Sequence, residues 1–184
     1  MTSLDRKINE ILKYGMSLKG TKYNKWHGTT TGDEPYPFYL NKIPSESYIR
    51  RHGINCTGLI NLMRQKVDLS VPGRGKYKGG TTAWHYYLKN KKGALEKFDD
   101  SKDYPVGTLF LRRYKNDHDR GHVAVYSKKN EKCLYGDILH SYYFDNPSDS
   151  KLGTTTLGFC HFWEIAGNKG YFEYASLPDY WLSK

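Results

Sequence analysis

The chain has 184 residues, enough for one domain with a sizeable core, and carries 29 lysines and arginines against 19 acidic residues, a formal charge of +10. That balance favours anionic partners, whether nucleic acid, polymers, lipid headgroups or acidic peptides, without selecting one. Three widely spaced cysteines, none in a Cys-x-x-Cys pair, argue against a zinc ribbon, a redox dithiol and a disulfide framework, and favour a reducing compartment.

No apolar run approaches the roughly 20 residues of a membrane span. Met1 to Lys7 lack the apolar stretch of a signal peptide. The expectation is synthesis in the cytoplasm; release by lysis or packaging in a virion would leave no mark in the chain.

Leu4, Ile8, Ile11, Leu12 and Gly15 share one helical stripe, and Thr2-Ser3-Leu4-Asp5 offers a capping box, so a helix is expected over 3–18. Lys22 to Gly28 reads as an aromatic loop. Residues 29–44, with Gly32, Pro35, Pro37 and Pro44, read as irregular, and 45–51 as a short capped helix stopped by Gly53. The stretch 29–53 is long for a connection, and reads equally as a lid or binding rim and as an ordered surface insertion.

Next comes Ile54-Asn55-Cys56-Thr57-Gly58-Leu59-Ile60-Asn61-Leu62-Met63, the stretch around which the rest is arranged. Leu59, Ile60, Met63 and Val67 recur at helical spacing, which starts a buried helix at Cys56 with Asn55 as its cap. Thr81 to Leu88 is a further short helix. Beyond a polar turn at 99–105 the texture changes to short β-branched and aromatic runs at 107–114, 121–127, 132–142 and 156–165, read as strands. Helices followed by an antiparallel meander make an α+β domain spanning 1–184. The aromatic tail 168–184 is expected to pack back on the sheet.

A thiol in the first turn of a helix faces unpaired backbone N–H groups and the positive end of the helix dipole, both of which favour the nucleophilic thiolate. Such a nucleophile needs a base, oriented in turn by a third polar group. Of seven histidines, His122 in Gly121-His122-Val123-Ala124-Val125-Tyr126 is best placed, at the rigid start of a strand. Alternation puts Val123 and Val125 on one face and His122, Ala124 and Tyr126 on the other, with small Ala124 leaving room for an incoming helix end. His140 sits near the end of the next strand; paired strands are about 4.8 Å apart, so a histidine there can donate to His122 and fix its tautomer.

Five segments in this order, Tyr23 after an N-terminal helix, Asn55-Cys56-Thr57-Gly58-Leu59-Ile60, a glycine turn into a strand, Gly121-His122-Val123-Ala124-Val125-Tyr126 and Ile138-Leu139-His140, resemble the NlpC-type cysteine peptidases, compact papain-like enzymes of cell-wall metabolism. The resemblance covers residues 5–165. It implies a papain-like α+β fold with helices packed on an antiparallel meander. It also implies Cys56 as nucleophile, His122 as base and then general acid, and His140 as orienting residue. Tyr23, Asn55 and Thr57 would face the substrate or the oxyanion, with the Cys56 N–H contributing to the oxyanion site.

The sequence departs from the family where Asn55 replaces Asp, Thr57 replaces Ser, and Val106-Gly107-Thr108 replaces Pro-Gly-Asp. The triad positions are filled, so the chemistry carries over, whereas the family's γ-D-glutamyl–diaminopimelate substrate does not carry over by itself. The expected activity is hydrolysis of a peptide or isopeptide amide, peptidoglycan-type among them, through an acyl-enzyme. Two alternatives use the same residues: transfer of an acyl group on a lipid or amine, and a catalytically idle basic module that binds an anionic polymer or a membrane surface.

No cofactor or metal is implied. Asp117, His118, Asp119 and His122 lie where a loop enters a strand and lack the helical spacing of a zinc-protease motif. Gly73-Arg74-Gly75-Lys76 lacks the ending of a phosphate loop, and nothing beyond charge and aromatics speaks for specific nucleic-acid binding.

Overall fold

The computed structural model describes residues 1–25, 43–74, 78–99, 101–116, 120–130, 133–143, 150–156 and 171–184. The first helix, α1 (Ser3–Ser17), begins as its sequence predicts. Thr2 Oγ1 accepts the Asp5 N–H at 3.0 Å, and the Asp5 carboxylate accepts the Thr2 N–H at 2.7 Å. Its apolar stripe turns inward, burying Ile11 and Gly15. Among the described residues three more helices follow, α2 (Glu46–His52), α3 (Cys56–Lys66) and α4 (Thr81–Lys89), with a short α5 (Pro178–Trp181) near the end of the chain.

The strands are β1 (Glu96–Lys97), β2 (Leu109–Arg112), β3 (His122–Asn130), β4 (Cys133–Ser141), β5 (Leu152–Thr156) and β6 (Tyr174–Ser176). They form an antiparallel sheet in the order β1-β6-β2-β3-β4-β5. The expected meander is therefore β2 to β5, and the aromatic tail does more than cover it. Residues 174–176 insert as a strand between β1 and β2. The last expected strand is displaced: β5 ends at Thr156, where it was to begin, and residues 157–165 lie outside the described residues, as do 29–42 of the expected insertion.

Alternation sorts the sheet into two faces. Leu109, Leu111, Val123, Val125 and Leu139 join Leu59, Ile60, Met63, Trp84 and Trp181 in one apolar cluster beneath the helices. Phe110, Ala124, Tyr126, Ile138 and Ala175 lie on the other face under Tyr104 and Phe172. Helix α3 thus packs on the valine face of β3. The space beside Ala124, expected to admit a helix end, is occupied by Phe110, Tyr126 and Phe172 instead.

Candidate active site

The loop before Cys56 is pinned from three sides. Ile54 forms a parallel bridge with Tyr23, its N–H donating to Lys22 O at 3.1 Å, and Ser141 Oγ at the end of β4 donates to Ile54 O at 2.7 Å. Gly53 makes this approach feasible. Its φ of 82° suits glycine, and a Cβ there would lie 2.7 Å from Lys22 O. Asn55 then caps α3: Oδ1 accepts the Gly58 N–H at 2.8 Å and the Thr57 hydroxyl at 3.1 Å, while Nδ2 donates to Lys25 O at 2.8 Å. The polar side-chain atoms of Asn55 and Thr57 are therefore engaged in holding the helix start.

Cys56 opens α3, which packs on β3 and β4, whose pairing in register begins at Val125↔Leu139. Beyond that pair the Val123 N–H is directed at the Cys56 sulfur, which also receives the N–H groups of Thr57 and of Cys56 itself. These contacts favour thiolate, as the helix-start argument expects, but the residue is only 7% exposed and burial outweighs them. The thiol is pushed up to about 11, so the resting group is a neutral thiol in a ring of N–H donors. A local motif reports the donors, whereas burial depends on the whole fold.

His122 begins β3, and Gly121 before it turns the chain with φ 74°, close enough to Arg112 O that a Cβ would lie 2.5 Å away. His122 and His140 share a face of the sheet, and His122 Nε2 lies 2.8 Å from His140 Nδ1 with the rings at 76°. Tyr142 packs on the far side of His140, ring centroids 4.7 Å apart. Burial, helped by the Arg112 guanidinium, lowers His122 to about 3, and burial next to His122 lowers His140. Both rings are neutral near pH 7, so one donates to the other. If His122 Nε2–H is the donor, the lone pair on its Nδ1 remains available as a base.

Tyr23 comes to the same place. Burial and then the charge of a Cys56 thiolate raise its hydroxyl, with Arg120 opposing, and its ring meets Tyr143 at 5.5 Å. Two residues that the sequence reading passed over also shape the site. Arg112 is the cross-strand partner of His122, and Ser141 holds the Ile54 carbonyl. Nothing near Arg112 in the sequence marks this role, because its meeting with His122 depends on strand register. Asp117, His118 and Asp119 lie outside the described residues.

The neutral histidines make stability depend on acid. His122 takes up a proton near pH 6.5 when unfolded but only near 3 when folded. Below about pH 6.5 the unfolded chain binds the extra proton, so stability falls with pH by about 1.4 kcal/mol per unit from this group until pH nears 3. His140, shifted in the same direction, steepens the fall. Urea titrations at pH 7.5, 6 and 5 are expected to show this slope, and His122→Gln to reduce it by one group's share. Stability that is flat from pH 7.5 to 5 contradicts the neutral pair.

The architecture is that of the NLP/P60, or NlpC-type, proteins. Against the P60 domain of antigen MAP1204 from M. avium subspecies paratuberculosis, the TM-score is 0.54 at 16% identity, over 96% of this chain and 98% of that one. Against the peptidoglycan hydrolase RipB from Mycobacterium tuberculosis it is 0.53 at 14% identity, over 94% of this chain and 65% of RipB. No family model and no curated protein matches the sequence.

Proposed function

We propose that this protein is a thiol-dependent hydrolase of an amide bond in a cell-wall type peptide, with Cys56 as nucleophile, His122 as base and His140 as the residue that orients it. The observation that carries this reading is the 2.8 Å contact between His122 and His140 at the strand start whose next N–H, that of Val123, meets the Cys56 sulfur. The shared fold supports it, since one neighbour is named a peptidoglycan hydrolase.

The chemistry follows from the neutral resting pair. As a carbonyl carbon approaches the sulfur, His122 Nδ1 takes the thiol proton while the S–C bond forms, so no free thiolate has to persist in a buried site. The charge moves to the carbonyl oxygen, which the Cys56 N–H and the Tyr23 hydroxyl would meet. Asn55 and Thr57 act here by fixing the helix start that aims that N–H. Collapse breaks the C–N bond, and the His122 proton leaves on the amine. Water, deprotonated by His122, then attacks the thioester, releasing the acid and restoring the thiol.

The test is intact-protein mass spectrometry during turnover of muropeptides. A mass increase equal to the acyl half of the substrate, mapping to Cys56 and disappearing as product forms, is expected. Turnover with the acyl group on another residue refutes the assignment.

A further inference from the structure

The aromatic stretch just ahead of β6 is fastened to the sheet before the strand pairing begins. The Glu173 N–H donates to Leu111 O at 3.0 Å, and Glu173 O accepts the Phe98 N–H at 3.1 Å. Phe172 is buried, and its ring meets that of Phe110 at 5.6 Å. This plants the segment on the face of the sheet that carries Phe110, Ala124 and His122. Tyr171 packs, partly buried, against the same cluster.

Both rings reach the imidazole of His122. The Phe172 ring lies 6.0 Å from it at 31°, and Tyr171 meets it edgewise at 5.8 Å and 65°. The two aromatic rings stand at 88° to each other, 5.2 Å apart, and so make the two walls of a corner. His140 closes a third side at 2.8 Å. Tyr171 is itself gripped. Arg112 stands opposite His122 in the strand pair, so its side chain rises on the same face, and its guanidinium carbon sits 4.7 Å from the centre of the Tyr171 ring.

A histidine side chain turns about two bonds, and the second is soft. A half-turn about that bond exchanges Nε2 with Cε1 and Nδ1 with Cδ2, which breaks the contact with His140 and withdraws the basic nitrogen. One hydrogen bond between neutral groups biases such an equilibrium by about tenfold at best. A close-packed corner does more, because the ring has no room to sweep.

We propose that Tyr171 is a positioning residue for the base. Gripped by Arg112 and backed by Phe172, it keeps the His122 imidazole in the one orientation that joins Nε2 to His140 and presents Nδ1. The effect on turnover rests on the hydrolase reading, whereas the orientation of the ring is measured without any substrate. The aromatic tail thereby has a task beyond filling the core.

The test is nuclear magnetic resonance of the full-length protein with isotope-labelled histidine nitrogens at pH 7.5, the His122 signals being assigned by their loss in His122→Gln. In the parent, His122 should show one protonated nitrogen, Nε2, and one bare nitrogen, Nδ1, as separate resonances. Tyr171→Leu should draw the two towards a common average, and Tyr171→Phe, which keeps the ring, should not. Arg112→Met removes the grip and leaves the ring, so it should give the same averaging to a lesser degree. His52, whose Nδ1 lies 2.9 Å from Tyr48 O within α2, reports in the same spectra that the fold is intact. In a muropeptide assay, Tyr171→Leu is expected to lower kcat by about tenfold or more with KM within about twofold, as loss of alignment without loss of binding requires. Tyr171→Phe should keep kcat within about threefold of the parent.

His122 signals that stay separate in Tyr171→Leu, or in Arg112→Met should the leucine variant not fold, overturn the proposal. So does Tyr171→Phe as impaired as Tyr171→Leu, or a rise in KM at unchanged kcat, which assigns Tyr171 to the substrate instead. Signals that average in Tyr171→Leu, in a protein whose wild type turns over no peptide, uphold the positioning and remove the hydrolase reading. Turnover in which a folded Tyr171→Leu matches the parent does the reverse.

Discussion

Cys56→Ala is expected to lower turnover of cell-wall peptides by about 10^4-fold or more, because no other group can form the acyl bond once the sulfur is gone. Folding should survive. The substitution removes a single buried sulfur and leaves the Asn55 cap and the Ser141–Ile54 bond in place, so stability is expected to stay within about 2 kcal/mol of the parent. Cys56→Ser sharpens the comparison. A serine hydroxyl still accepts the Val123 N–H, yet an alcohol is a much weaker acid and a poorer nucleophile than a thiol, so it does not replace the sulfur in forming the acyl bond. Both variants should therefore be folded and inactive, as judged by urea titration beside a muropeptide assay. Retention of more than about a hundredth of parental activity by Cys56→Ala would remove Cys56 from the role.

Arg64→Ala should cause the largest loss of stability, about 3–5 kcal/mol. Arg64 is 1% exposed at the far end of the helix that Cys56 begins. Its guanidinium is satisfied chiefly by carbonyls. Nε donates to Ser70 O at 2.6 Å, Nη2 to Ser183 O at 2.9 Å and to the Tyr87 hydroxyl at 2.7 Å, and Nη1 donates to Trp181 O. The Tyr87 ring adds a cation–π contact at 4.8 Å. Alanine leaves a cavity and several buried acceptors without their donor. Lysine keeps the charge but cannot fork to three carbonyls, and should cost about half as much. Urea melts of the two variants measure this, and a loss below about 1 kcal/mol for alanine would show that the tail is held by other contacts.

Local signals carried much of this architecture. The stripe of Leu4, Ile8 and Ile11 with its Thr2–Asp5 box marks α1, and Asn55 marks the start of α3 to the residue. The alternation after His122 separates the two faces of β3, with Val123 and Val125 under the helices. What the chain conceals depends on partners far away in sequence. Residues 174–176 carry no sign that they pair with β1 and β2, and a two-residue strand such as β1 exists only because β6 is there to receive it. The Arg64 latch is hidden because an arginine among core positions reads as solvent-facing until the tail covers it. The state of the Cys56 thiol is hidden for the same reason, since the helix start is local and the burial that opposes it is assembled by α3, β3 and β4 together.

The placement of β6 between β1 and β2 has a kinetic consequence. A ribosome delivers residues 96–112 long before residues 174–176, so a nascent chain exposes one edge of β2 until the closing strand arrives. Non-local pairing of this kind makes folding slow and leaves an adhesive strand edge on the unfinished product. Maturation of the Cys56 site is thereby tied to completion of translation through residue 176, and premature termination before that point would yield a sticky intermediate rather than a partially folded but soluble domain.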